Sequence, residues 1–386
     1  MLFVLTQSLA LLISNQVVPI TTVISLVCTL IYFFTANPKI HFGTFFLISL
    51  FLLLSWYPFG GRAISVASLI NFAAIYLPSS LGQSQIVRKK ISLGIVYATV
   101  IGCILSVVQA GMQKNVKFFI DPVANILNAN LIPGYNRRYF VESLGIYKPN
   151  GVFFLEPSFF SIYCALSLIL LNEMFLAKKK QTTILKILLS IGLVQSFAVS
   201  GISIIVIYYI LKVIFERRES QILSQNLVTI LTILAGSLIF SFISTRLFEY
   251  RNSNSSFSLR ITLPYKIFAN AIRENFLFGR GFGTVYQDAY LQYYTGQTLF
   301  SQVQRPTIIR LLLEVGIIGF VLFLSIILSI YRNRHSWTAF GWTLLVIFLI
   351  PTDGLLTPSI ALLVVWLVGP SLKLSRKDSE IAQVSK

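Results

Sequence analysis

The residues best equipped for chemistry are cations that stand apart from the short basic loops. The stretch 111–150 carries Lys114, Lys117, Arg137, Arg138 and Lys148. The stretch 245–306 carries Arg246, Arg251, Arg260, Lys266, Arg273, Arg280 and Arg305, with Arg310 just beyond it. A guanidinium is a planar fork of donors that meets a phosphate bidentately, so clustered arginines suit phosphate or pyrophosphate recognition. Each one also suits a plainer role, snorkelling to lipid headgroups. Taken as a set they point to an anionic ligand. Arg280 lies inside Phe278-Gly279-Arg280-Gly281-Phe282-Gly283. There Gly279, Gly281 and Gly283 let backbone amides approach a ligand closely.

Three carboxylates have positions that matter. Glu156 precedes Pro157-Ser158 at the head of an apolar run, where it is a candidate general base or a cap for the helix that restarts at Ser158. Arg310 and Glu314 are four apart, so on a helix they share a face and can pair. Such charges at membrane depth are costly and point to function, although Glu314 can equally be structural. Asp288 sits among Tyr286, Tyr290, Tyr293 and Tyr294, which suit stacking on sugars as well as interfacial anchoring. His41 and His335 are the only histidines, and there is no Asp-x-Asp, so metal-independent chemistry without a cofactor is expected. Cys28, Cys103 and Cys164 fall within apolar runs and give neither a disulfide framework nor a metal site.

The elements that position these groups must be membrane helices. Hydrophobic residues make up 55% of the chain and charged ones 11%, against roughly 25% charged in soluble domains. Lipid is then the solvent for most of the surface, and long apolar runs there must be helical. The net charge of +18 lies between apolar runs, which suggests topology and anionic lipid rather than nucleic acid. We expect an all-α polytopic integral membrane protein, residues 1–386 forming one multi-pass domain of about twelve transmembrane helices. The spans fall near 2–14, 17–35, 42–57, 62–80, 91–110, 152–176, 183–199, 201–215, 226–244, 307–331, 337–350 and 354–372. Met1-Leu2-Phe3 lacks a basic leader, so the first run is expected to be a retained span.

Lys39, Arg88-Lys89-Lys90, Lys178-Lys179-Lys180, Arg217-Arg218, Arg332 with Arg334, and Arg376-Lys377 fall on one side of this count. By the positive-inside rule that side is the cytoplasm, and both termini share it. The segments 111–150 and 245–306 then become long extracytoplasmic loops. The second carries a short helix from Pro264 to Asn275, where Ile267, Phe268, Ala271 and Ile272 recur at helical spacing.

These pieces in this order resemble the superfamily of O-antigen polymerases and O-antigen ligases, over roughly residues 90–335. Lys148-Pro149-Asn150-Gly151-Val152-Phe153-Phe154-Leu155-Glu156-Pro157-Ser158 is similar to the family's R-x-x-G-x-F-x-x-E-P-S stretch. Arg260, the helix and Phe278–Gly283 resemble its outer-loop arginine, helix and G-x-G-x-G turn. Arg305 through Glu314-Val315-Gly316-Ile317-Ile318-Gly319 resembles the segment that closes that loop. Three departures stand out. Ligases carry His-Asn where this chain has Arg305-Pro306, which favours the polymerase branch. The first arginine is Lys148 here, and the family's Ser-Arg reads Ser200-Gly201.

The resemblance implies a membrane glycosyltransferase of the bacterial plasma (inner) membrane. It would polymerise lipid-linked repeat units of O-antigen, capsule or exopolysaccharide on the outer face. Donor and acceptor would be glycans on undecaprenyl pyrophosphate, and a flippase and a chain-length regulator are the implied partner proteins. Lys148, Arg260, Arg280, Arg305 and Arg310 would hold pyrophosphate. Glu156, with Arg260 and Arg305, would carry the catalysis, and Asp288 is the second choice of carboxylate. Glu314 and the glycines would orient these groups. Two alternatives remain: ligase-type transfer to another acceptor, and a lipid-linked sugar flippase. The chain shows no internal repeat and its charges gather near outer span ends, features that suit chemistry there better than alternating access.

Overall fold

A computed structural model describes residues 9–13, 16–36, 38–56, 65–82, 85–116, 140–141, 146–174, 179–216, 264–265, 268–269, 276–284, 306–332, 343, 355–357, 360–361, 365 and 367. Eight long helices carry the described part. They are α1 Ile20–Ala36, α2 Phe42–Trp56, α3 Val66–Tyr76, α4 Gln85–Val116, α5 Pro157–Met174, α6 Lys179–Gln195, α7 Val199–Glu216 and α8 Thr307–Arg332. Each falls on an expected apolar run. Val87–Asn115 and Thr307–Ile330 are long and apolar enough to cross a membrane, and the other six are shorter apolar helices. Large side chains such as Phe34 (79% exposed) and Phe42 (77%) point outward. Contiguous outward apolar surface of this kind needs a nonpolar surrounding.

Two features correct the sequence expectation. Residues 10–13, placed in a first span over 2–14, form strand β1 (Ala10–Ile13), antiparallel to β2 (Gln16–Pro19) with Ile13 opposite Gln16. A run of about thirteen residues makes a helix only about 20 Å long, short of a roughly 30 Å hydrocarbon core. Ser14 and Asn15 favour turns, and Val17 and Val18 favour a strand. The second span accordingly begins at Ile20. The span expected from Val152 begins at Pro157, because Gly151 and Val152 both take positive φ (65° and 68°). Proline then suits the first helical position. A second two-stranded ladder pairs β3 Phe140–Val141 with β4 Ile146–Tyr147. The expected spans over 226–244, nearly all of 337–350 and most of 354–372 lie outside the described residues. Of the expected loop helix, residues 264–265 and 268–269 are described and helical.

The helices pack as two groups. In one, α5 contacts α4, α6 and α7, and α4 contacts α6. In the other, α8 lies on α2, and α3 on α1 and α2. The buried residues of both groups form one apolar cluster. Where α5 meets α7, close approach depends on Gly201. Its N–H donates to Ser161 Oγ at 3.1 Å, and the Ser200 hydroxyl lies 2.8 Å from Ser161 Oγ. A Cβ on Gly201 would run into the Ser161 carbonyl oxygen. No arginine fits at this position as the two helices pack here. Gly201→Ala should cost about 2 kcal/mol by overpacking, read as a lowered melting temperature in detergent. Gly43→Ala, where a new Cβ meets nothing within 4 Å, is the control. Equal melting of the two variants would show that this helix contact does not exist.

Candidate functional site

The site is built on a break in a helix. Within α8, Gly316 adopts φ 65° and ψ −170°. A break orphans carbonyls before it and amides after it, and an apolar surrounding offers neither a partner. The glycine turn supplies all four. Arg280 N donates to Leu313 O (2.9 Å), Gly281 N to Glu314 O (2.8 Å), Ile317 N to Phe276 O (2.9 Å) and Ile318 N to Leu277 O (3.2 Å). Turn and break are thus one unit.

The turn is also anchored on its other side. Phe282, 2% exposed, sets its ring edge-on to Phe51 and Phe72, each 5.7 Å away between centroids. Its carbonyl accepts from Ser65 N at 3.2 Å, and Ser65 Oγ caps α3 through Ser68 N. The turn's glycines therefore serve close backbone packing against α8 and α3.

This unit brings Arg280, Arg310 and Glu314 together, all nearly buried at 5%, 6% and 0% exposure. Arg310 Nε donates to Glu314 Oε1 at 3.2 Å. The pair faces two clefts separated by Phe282. Arg310 lines one with Ser68 and Asn71. Glu314 lines another with Ser55 and Gly281. A buried cation beside a polar cleft is equipped to hold an anion where water does not screen it.

Lys148 and Glu156 belong to a second locus, where α5 and α7 begin. Lys148 Nζ donates to Phe197 O at 3.0 Å. The Glu156 carbonyl accepts from Phe160 N, as the residue before a helix does, and its side chain is 8% exposed. Among the described residues its carboxylate has no hydrogen-bond partner. Its side chain thus stands at the N-terminus of α5, the position from which the sequence offered both a general base and a cap. Arg260, Arg305 and Asp288 lie outside the described residues.

Sequence reasoning missed what holds this second locus. Gln113 exchanges two bonds with the Tyr147 backbone, Nε2 to O at 3.0 Å and N to Oε1 at 2.6 Å. Gln109 Oε1 accepts from Gly151 N and Gln109 Nε2 donates to Asn150 Oδ1, both at 3.1 Å. Asn150 Nδ2 donates in turn to Phe154 O at 2.8 Å. The two glutamines clamp the strained Gly151–Val152 bend onto α4 and so fix where Glu156 stands. The signal was present: Ser106, Gln109 and Gln113 recur at helical spacing in an otherwise apolar run.

A family model described as WcaD colanic acid polymerase matches residues 66–369. That match begins at the first residue of α3 and takes in both loci, the glycine turn and α8. No curated protein matches the chain.

Proposed function

Because the chain belongs to the colanic acid polymerase family, a family of membrane enzymes of polysaccharide biosynthesis, we propose that it polymerises glycan repeat units carried on undecaprenyl pyrophosphate at the outer face of the bacterial plasma membrane. The observation that carries this reading is the coupled turn and helix break, which buries Arg280 and Arg310 and sets Arg310 beside a polar cleft. The polymerase branch is favoured over a ligase by Arg305-Pro306 in place of His-Asn.

The topology that goes with it has about twelve spans, both termini cytoplasmic and the segments 111–150 and 245–306 outside. Bonds change in one step. The acceptor hydroxyl gives its proton to Glu156, its oxygen bonds the donor's anomeric carbon, and the bond from that carbon to the phosphate oxygen breaks. Pyrophosphate departs with the electron pair, and Arg260, Arg280, Arg305 and Arg310 stabilise the charge as it develops. Lys148 supplies a further cation, and Asp288 is the second choice of base. With arginines neutralising the leaving group, no step calls for a metal.

Arg260→Ala and Arg305→Ala should each slow polymerisation about a hundredfold. Gel analysis of the glycan should then show single, unpolymerised repeats at normal protein abundance. Arg305→Lys should also impair growth of the chain, because lysine lacks the bidentate fork. Normal chain length in both alanine variants would overturn the proposal.

A further inference from the structure

Beneath the glycine turn, the cleft lined by Arg310 draws its polar groups from two helices. Arg310 comes from α8 and is held through Glu314. Asn71 comes from α3 and is held from behind by α1. There the fully buried Thr22 donates its hydroxyl proton to Asn71 Oδ1 at 2.6 Å. This bond engages the oxygen end of the amide on the α1 side. With Oδ1 engaged by Thr22, the Nδ2 group is presented, and it is a donor of two hydrogen bonds. Ser68 completes the polar lining, its own hydroxyl proton directed to Ser65 Oγ at 3.1 Å.

Donors lead the lining. A guanidinium and an amide NH2 stand together, Ser68 adds one hydroxyl oxygen, and Glu314, the carboxylate paired with Arg310, lines the other cleft. A neutral sugar carries no charge to set against Arg310. A phosphoryl group displays acceptors only and carries the charge that Arg310 complements. Phe282 and Leu356 form apolar walls, which strengthen each polar contact by keeping water away.

The geometry points to this cleft as the seat of one phosphoryl group of a lipid diphosphate, with Asn71 as a binding residue and Thr22 as the residue that positions it. This assignment rests on the reading above that the cations here hold a diphosphate. Nothing in the sequence pattern marked either residue, because each is a small neutral polar group in an otherwise apolar helix.

Binding of farnesyl diphosphate and of farnesol to the full-length protein in phosphatidylcholine nanodiscs tests it. Wild type should prefer the diphosphate. Asn71→Asp, nearly isosteric, replaces a donor with a negative charge and should weaken diphosphate binding about tenfold or more, leaving farnesol unchanged. Thr22→Val should weaken it less, and Thr22→Ser should restore it, a rescue that loss of packing alone would not produce. Melting temperatures of the variants report whether each is folded. Equal affinity of wild type for diphosphate and alcohol would defeat the diphosphate reading itself. A wild-type preference retained in Asn71→Asp would leave that reading standing and overturn the assignment of the cleft.

Discussion

Alanine at Gly279 should leave little folded protein. Gly279 has φ +66°, a conformation that L side chains rarely adopt. A Cβ there would stand 2.5 Å from three backbone atoms of α8: Glu314 C, Val315 N and Gly316 N. Backbone atoms have no rotamer through which to retreat, so the turn must separate from the helix. Separation removes the four bonds between 276–281 and 313–318. On α8 alone it strands two carbonyls and two amides where water is scarce, at about 1–3 kcal/mol each. The total exceeds about 4 kcal/mol, which is enough to unfold a marginally stable protein. Gly281→Ala makes the informative comparison, since its φ is +111° but the nearest atom is the Thr284 methyl at 3.2 Å. That variant should bear backbone strain of about 1–3 kcal/mol without a backbone collision. Yield of monodisperse protein in detergent and melting temperature should rank wild type above Gly281→Ala and Gly281→Ala above Gly279→Ala. A Gly279→Ala variant that melts with wild type would show that turn and helix are not joined as described.

Gly316 shows how far the sequence could be read. Its neighbours Glu314 and Gly319 drew attention as a motif, and the turn around Arg280 drew attention as another. Their spacing along the chain, however, holds no record that one satisfies the other's orphaned backbone. Apolar periodicity revealed α1 to α8, because lipid allows little else over such runs. It failed at residues 10–13, where a run too short to span the bilayer had a local alternative in a hairpin. At Val152 the failure came from a different cause. Hydropathy does not register backbone dihedrals, so a strained bend inside an apolar stretch is invisible to it. The arginine set was legible as a set. Thr22 and Asn71 were not, since a neutral polar residue in a membrane helix acquires meaning only from what the fold sets opposite it, whereas Gln109 and Gln113 left a signal in their helical spacing with Ser106.

The Arg310–Glu314 pair offers a sharper separation of structure from function. Glu314 is fully buried, and the Arg310 guanidinium faces its Oε1 at 3.2 Å. Removing one partner leaves the other charge buried, at about 3–5 kcal/mol. Arg310→Leu and Glu314→Leu should therefore each lower the melting temperature sharply. Replacing both charges with apolar groups is a different matter, because desolvating an ion pair takes back much of what attraction contributes. The double variant Arg310→Leu with Glu314→Leu should melt close to wild type, and a double-mutant cycle should show strong coupling. Its glycan should nonetheless remain short, because the cation that lines the polar cleft is gone while the fold is intact. A double variant that is stable and polymerises normally would reduce the pair to a packing device and remove Arg310 from the diphosphate site. One that is stable and inactive would locate the need for charge in the ligand, since the folded chain has then been shown to stand without it.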